Sequence, residues 1–304
     1  MDREVRAAVL REIGGALAVE EVAEPEGAVL DVRAAGVNFA DVLIRRGDYP
    51  QPPELPFVPG SEVAGDLDGR RVIAFVRGSG GGYAERVAVD FDWVIDLPEH
   101  ASYAEGAAFL LTTLTAWIPL TRQARVRPGS TVLVHAAAGG VGSAAVQVAR
   151  HLGARVVATA GSEEKRRVAL ELGAEEAWSY EEFPDRVRAD VVLDPVGGEI
   201  FARSLRVLEP LGAAVAIGYA GGLWQDVSPQ LVVGRNISIS GFYLGRLTQL
   251  RPQLVREAVG EVVELWRDGA LKPLVGAEFP LERAGEALDH LESRRSVGKV
   301  VLVP

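Results

Sequence analysis

From Thr131 onward the chain alternates short apolar runs with longer amphipathic stretches, and that alternation admits few folds. An apolar run too short for a buried helix, followed by a helix-period stretch and another run, is a βαβ unit whose strands pair in parallel. Six such runs stand at residues 131–135, 155–159, 177–179, 190–194, 213–217 and 237–241, which predicts a doubly wound parallel sheet. A helix is predicted at 252–268, and beyond Lys272 strand character returns at 275–279 and 299–303.

The opening of the chain follows a different grammar. Residues 1–108 are short strand-like segments broken by Gly and Pro, with one helix-like stretch at 38–46, and they predict a partly open β-barrel. At 304 residues two cores are expected rather than one. The expected division is a β domain at 1–108 and 272–304 and an α/β domain at 109–271. The run Gly78-Ser79-Gly80-Gly81-Gly82 reads as a flexible loop.

The absence of cysteine excludes disulfides, catalytic thiols and thiolate metal sites, so redox chemistry has to come from a cofactor. A formal net charge of −10 argues against nucleic acid as a partner. No run approaches the ~20 apolar residues of a membrane span, and the start, Met1 to Arg6, lacks the apolar core of a secretory signal. The expectation is a cytoplasmic protein with no membrane partner. Asn38 and Asn236 are the only asparagines, a depletion that fits either a thermophile or a codon bias.

The strongest local signal follows the 131–135 run: His135-Ala136-Ala137-Ala138-Gly139-Gly140-Val141-Gly142, then a helix. In a strand–turn–helix of this kind Ala137 permits the turn, Gly139 lets backbone approach a pyrophosphate, and Gly142 lets the helix pack on the strand. Gly140 and Val141 open the helix, whose N–H groups and dipole favour an anion. This predicts a bound dinucleotide. No acid stands at the tip of the second strand, Thr159-Ala160-Gly161-Ser162, to grip the ribose 2′-OH; Ser162, Lys165 and Arg166, with Glu163 and Glu164 between them, are available to hold a 2′-phosphate, and NADPH is expected over NADH. Ser162 also reads as the N-cap of the next helix, and both roles are compatible. Gly218 and Tyr219 follow the fifth run, at the edge where ligands sit in such sheets.

Ala35-Gly36-Val37-Asn38-Phe39-Ala40-Asp41, Pro59-Gly60-Ser61-Glu62-Val63-Ala64-Gly65, the glycine turn, Asp194-Pro195-Val196-Gly197-Gly198 and Arg295-x-x-Gly298-Lys299-Val300-Val301 together span nearly the whole chain. In that order they resemble the quinone oxidoreductase (zeta-crystallin-like) branch of the zinc-free medium-chain dehydrogenase/reductase superfamily. The resemblance implies a GroES-like barrel domain and a Rossmann domain, with the active site in the cleft between them. It implies hydride transfer from NADPH to a small-molecule quinone, or to an enone in a related reductase. Asn38 and Ser61 stand where zinc-dependent relatives carry a cysteine and a histidine, so no metal is expected. An already electrophilic acceptor needs only hydrogen-bond donors for its oxyanion.

By the same resemblance the catalytic candidates are Asn38, Tyr49 and Thr115, with Tyr180 near the adenosine phosphate and Phe242 and Leu244 against the carboxamide. Asn38 reads equally as a helix N-cap and Tyr49 as a packed turn aromatic. Leu43 departs from the tyrosine common in bacterial relatives. Asp41 and Arg45 are expected to form an i, i+4 ion pair, and His135 to bond backbone. Lys299 and Arg295 either reach the cofactor or tie the tail to the barrel in solvated pairs. Residues 236–242 read as an apolar edge strand able to build a homodimer. Relatives of this branch that serve as structural or RNA-binding proteins keep a catalytically silent alternative open.

Overall fold

The computed structural model describes residues 4–76, 80–224 and 226–304. Strands β1 (Glu4–Leu10), β2 (Leu17–Ala23), β3 (Val29–Val37), β4 (Glu62–Leu67), β5 (Arg70–Phe75), β6 (Arg86–Ala88) and β7 (Val94–Asp96) come first. Next are β8 (Thr131–Val134), β9 (Arg155–Thr159), β10 (Glu176–Trp178), β11 (Ala189–Asp194), β12 (Leu208–Ala216) and β13 (Ser238–Gly241). The chain closes with β14 (Val275–Pro280) and β15 (Lys299–Val303). It divides into two compact units, Met1–Leu110 with Pro273–Pro304, and Leu111–Lys272.

The first unit is built on a sheet ordered β14-β15-β3-β4-β5-β7, with β6 also on β3. The order is an open path, as in a partly closed barrel, and β1 and β2 form a separate antiparallel pair. Leu30, Val32, Val63, Val72, Val300 and Leu302 point into its core. One element of the closing stretch escaped the sequence pattern. Between β14 and β15 runs a helix, Ala284–Glu292, that buries Ala284, Ala287 and Leu288. Its nine residues are too short to establish a helical period against the strands on either side.

The same unit corrects the reading of the glycine run. Gly78 and Ser79 lie outside the described residues, but Gly81 N donates to Val58 O at 2.6 Å and Gly82 N to Gly60 O at 2.9 Å. A Cβ on Gly80 would stand 2.3 Å from the Phe57 ring, and one on Gly82 would stand 2.8 Å from Gly60 O. These glycines permit close packing rather than flexibility.

In the second unit all six strands are parallel, in the order β10-β9-β8-β11-β12-β13. Counted from β8 this is the doubly wound order 3-2-1-4-5-6, whose direction of winding reverses between β8 and β11. Here β12 begins five residues before the predicted run, at Leu208. The register shifts between Ala189 and Val191, and Leu211 has φ +69°, so the apolar alternation is broken there. Among the described residues no helix is long and apolar enough to cross a membrane.

Candidate active site

Parallel pairing places the ends of β8, β9 and β11 side by side: Val134 is level with Ala158 and with Leu193. One residue further stand His135, Thr159 and Asp194, all buried. The turn after β8 holds Ala136 at φ +49° and returns Gly139 N to Ala136 O at 2.8 Å. Gly139 is the N-cap of the helix Gly140–His151. A Cβ on Gly142 would lie 2.1 Å from Ala136 O, inside any tolerable contact, so this glycine lets the helix start against the strand end. Gly139 is less constrained, with Ala136 O at 3.2 Å. Ala137 is buried and its N–H donates to Thr159 O at 3.0 Å. The first N–H groups of the helix, including those of Gly140, Val141 and Gly142, have no acceptor within it, as anion binding at a helix start requires.

Side chains beneath the turn fix its shape. The Tyr180 hydroxyl accepts from Ala136 N at 3.2 Å. His135 bonds side chains rather than the expected backbone: Nε2 meets Ser204 Oγ at 2.6 Å and Nδ1 meets Thr159 Oγ1 at 2.7 Å. Ser204 Oγ donates to Ile200 O, so it accepts from Nε2–H, and Nδ1 accepts from Thr159. Burial, aided by Arg203, lowers this imidazole to about 3, so it is neutral at any working pH. Sequence pattern could not find this chain of bonds because its members lie 24 and 69 residues apart.

Asp194 ends β11 and accepts from Val196 N at 2.7 Å and Gly197 N at 3.1 Å, bending the chain into Gly197 and Gly198, both at positive φ. Burial raises its carboxyl from 3.8 to about 6, against those two N–H donors. The folded state thus binds the proton more readily than the unfolded chain. The resulting stability is full below pH 3.8 and disappears as the pH rises through about 6. The parent should therefore gain about 2–3 kcal/mol on Asp194→Asn between pH 7 and pH 4. Urea unfolding at both values checks this; a difference independent of pH removes the assignment.

The remaining candidates of this unit, Thr115 apart, follow the carboxyl ends of strands of the same sheet. Ser162 caps the helix Glu163–Glu171, accepting from Lys165 N, while Lys165 and Arg166 are half-buried. Burial holds the Lys165 ammonium below its ordinary value. Gly218 and Tyr219 follow β12, with Tyr219 edge-on to Trp224 at 4.8 Å. Phe242 continues β13 through Phe242 N to Ala216 O, and Leu244 is buried at the start of the helix Leu244–Leu250. Thr115 is half-buried on the helix Leu110–Ile118.

In the first unit β15 runs antiparallel to β3 with Val300 opposite Val37, and β4 lies on its other side with Val63 opposite Ala35. Continuing each register by one pair brings Lys299 to Asn38 and Glu62 to Gly36. All three polar side chains are buried: Asn38 is 6% exposed, Glu62 1% and Lys299 3%. Lys299 Nζ donates to Glu62 Oε1 at 2.5 Å and to Asn38 Oδ1 at 2.6 Å. Asn38 Nδ2 donates to Glu62 Oε1 at 3.2 Å and to Gly36 O at 3.3 Å. Lys299 therefore ties the tail to the sheet through a buried pair, not a solvated one. Arg295 bonds Ser293 Oγ. The one hint in the sequence was a lone Lys at the head of the apolar run Val300 to Val303.

Asn38 stands at the N-cap of the helix Phe39–Arg46, as read, and Asp41 at the third helical position closes the cap from the other side, its Oδ2 accepting from Asn38 N at 2.8 Å. The Tyr83 hydroxyl donates to the same oxygen at 2.8 Å. Burial raises the Asp41 carboxyl to about 6, opposed by these donors, by Lys299 and by Gly60 N–H. The expected Asp41–Arg45 ion pair is absent. Asp41 faces the core, and Arg45 pairs with Asp289 and Glu292 on the helix Ala284–Glu292. The i, i+4 rule assumed an exposed face and an empty neighbourhood. Tyr49 is half-buried, just beyond the left-handed Gly47 that ends the helix. Among the described residues no group of three or more His, Cys, Asp or Glu could hold a metal ion.

A parallel 3-2-1-4-5-6 sheet with a glycine turn at its reversal, preceded by an open β-barrel, defines a two-part dinucleotide-dependent oxidoreductase fold. Comparison with known proteins agrees. Residues 24–99 match the alcohol dehydrogenase GroES-like domain family and residues 140–262 the zinc-binding dehydrogenase family. "Quinone oxidoreductase-like protein 2 homolog" of Nematostella vectensis is 34% identical, covering 98% of this chain and 88% of its own. The quinone oxidoreductase from Thermus thermophilus, solved also in its complex with NADPH, is 43% identical with a TM-score of 0.92, covering 98% of this chain and 100% of that one. The Escherichia coli quinone oxidoreductase complexed with NADPH is 30% identical with a TM-score of 0.88, covering 99% of each chain. The chain belongs to the quinone oxidoreductase branch of the zinc-free medium-chain dehydrogenase/reductase superfamily.

Proposed function

We propose that this protein reduces a quinone with hydride from NADPH, without a metal ion. The observation that carries the reading is the seat formed by the glycine turn: a Cβ on Gly142 would fill the space into which the helix start closes on Ala136. That geometry fits a pyrophosphate on the N–H groups of Gly139, Gly140, Val141 and Gly142, beside Ala137. The 2′-phosphate would be held by Ser162, Lys165, Arg166 and Tyr180. Lys165 gains most from such a partner, because burial penalises its lone charge. Gly218, Tyr219, Phe242 and Leu244 would flank the nicotinamide half. NADPH supplies the hydride when bound; the chain's part is to orient it and to stabilise the acceptor oxygen.

Asn38 commits both amide hydrogens inside the protein, so the donor assigned to the acceptor oxygen is the Tyr49 hydroxyl, with Asn38 organising the turn beside it and Thr115 contributing from its own helix. A phenol both donates a hydrogen bond and can release its proton to the reduced oxygen. Steady-state oxidation of NADPH and NADH with benzoquinone and with an enone tests the reading. NADPH is expected to be the tighter nucleotide and benzoquinone the faster acceptor. A faster enone makes the chain an enone reductase, and tight NADPH binding without turnover makes it a silent relative. If neither nucleotide binds, the reading is wrong.

For the assembly we propose a homodimer through β13. This strand is one edge of the sheet, and Leu211, which donates to Asn236 O, and Val233, which accepts from Asn236 N, are 89% and 76% exposed. Pairing two such edges about a two-fold axis would cover them. Light scattering that returns the mass of one chain would remove this part of the proposal.

A further inference from the structure

Lys299 is a cation sealed from water, and an ammonium persists in such a place only when its donors are met. Its bond to Glu62 answers its charge. Its bond to Asn38 does something else. An amide offers an oxygen on one side and two hydrogens on the other, and only the oxygen can face an ammonium. With Oδ1 so directed, Nδ2 is turned toward Glu62 Oε1 and Gly36 O. Reversing the amide would set NH2 against NH3+ and oxygen against carboxylate, so one ion pair specifies the orientation from both sides. Fastening the tail requires none of this: Val300, Val301 and Leu302 are buried and already paired with β3.

We propose that Lys299 is a positioning residue for the reduction: with Glu62 it locks the Asn38 amide, and so the turn from β3 into the helix Phe39–Arg46, in the orientation that productive hydride transfer needs. The inference rests on the reading that the acceptor is reduced beside the segment from Asn38 to Tyr49. Loss of the lock should therefore act on turnover and leave the nucleotide site, built by the other unit, untouched.

The test uses the full-length chain carrying Lys299→Met together with Glu62→Gln, which removes both charges and strands neither. NADPH affinity, read by nucleotide fluorescence, should stay within about twofold while kcat with benzoquinone falls about tenfold to a hundredfold, the scale of a misplaced reacting group. A kcat within about twofold of the parent overturns the proposal and leaves Lys299 a structural tie. Should the double variant not fold, Asn38→Ser decides, since it keeps the ion pair and removes only the oriented amide: a fall in kcat with NADPH binding intact supports the proposal, and an unchanged kcat overturns it. A parent that oxidises NADPH with neither benzoquinone nor an enone brings down the functional reading itself, and this inference with it. A parent active with either acceptor and variants equally active defeats the inference alone.

Discussion

Gly142→Ala should lose NADPH affinity by about tenfold or more, equivalent to at least about 1.4 kcal/mol of binding free energy. The residue sits inside a helix where alanine is the better helix former, so backbone preference alone would predict stabilisation. Packing opposes it. The added methyl would lie 2.1 Å from Ala136 O and 2.7 Å from its carbonyl carbon, both backbone atoms that cannot rotate away. The helix start must therefore shift off the strand end and take the N–H groups of the proposed phosphate seat with it. Overpacking of this kind destabilises by about 1–3 kcal/mol as well. Gly139→Ala is the control: its nearest contact is 3.2 Å, and it should be several times milder. Nucleotide titrations and urea unfolding of the two variants would measure both effects, and a Gly142→Ala protein that binds NADPH like the parent would exclude this turn as the phosphate seat.

Glu62→Ala should be the most destabilising single change in the barrel unit. It leaves the buried Lys299 ammonium hydrogen-bonded only to neutral Asn38, with the Asp41 carboxyl near it but not bonded to it. Breaking one side of a buried pair costs about 3–5 kcal/mol, most of it the penalty of the stranded charge rather than the value of the pair. Glu62→Gln should be milder than Glu62→Ala because it preserves the acceptor for Asn38 Nδ2. Denaturant unfolding of the two variants distinguishes these outcomes, and a loss below about 1 kcal/mol for Glu62→Ala would mean that water or a rearranged side chain meets the ammonium.

Two strands were readable to the residue: 155–159 and 299–303 coincide with β9 and β15. The helix Ala284–Glu292 was not readable, although its position explains the charge of the helix Phe39–Arg46. Arg45 looked like the partner of Asp41, four residues away, because sequence shows neighbours along one helix and hides those brought by another. Asp289 and Glu292 are 244 and 247 positions from Arg45, yet they are the carboxylates that its guanidinium meets. The glycine run misled for a related reason, since glycine marks both freedom and crowding, and only the surrounding atoms say which.

Local chemistry was legible in the order of the residues: parallel-strand grammar, a strand–turn–helix with small residues at the turn, and no thiol anywhere. Each follows from residues within one or two elements, where period and spacing are physical constraints. Which polar groups are buried, and whom they meet, was settled only by the packing of distant elements. Asn38 and Lys299 are 261 residues apart in the chain, a separation that no periodicity can relate, and they are joined because two antiparallel registers converge on the end of β3. Burial then turns that meeting into a constraint, because an ammonium, a carboxylate and an amide shut away from water have one arrangement that leaves none of them stranded.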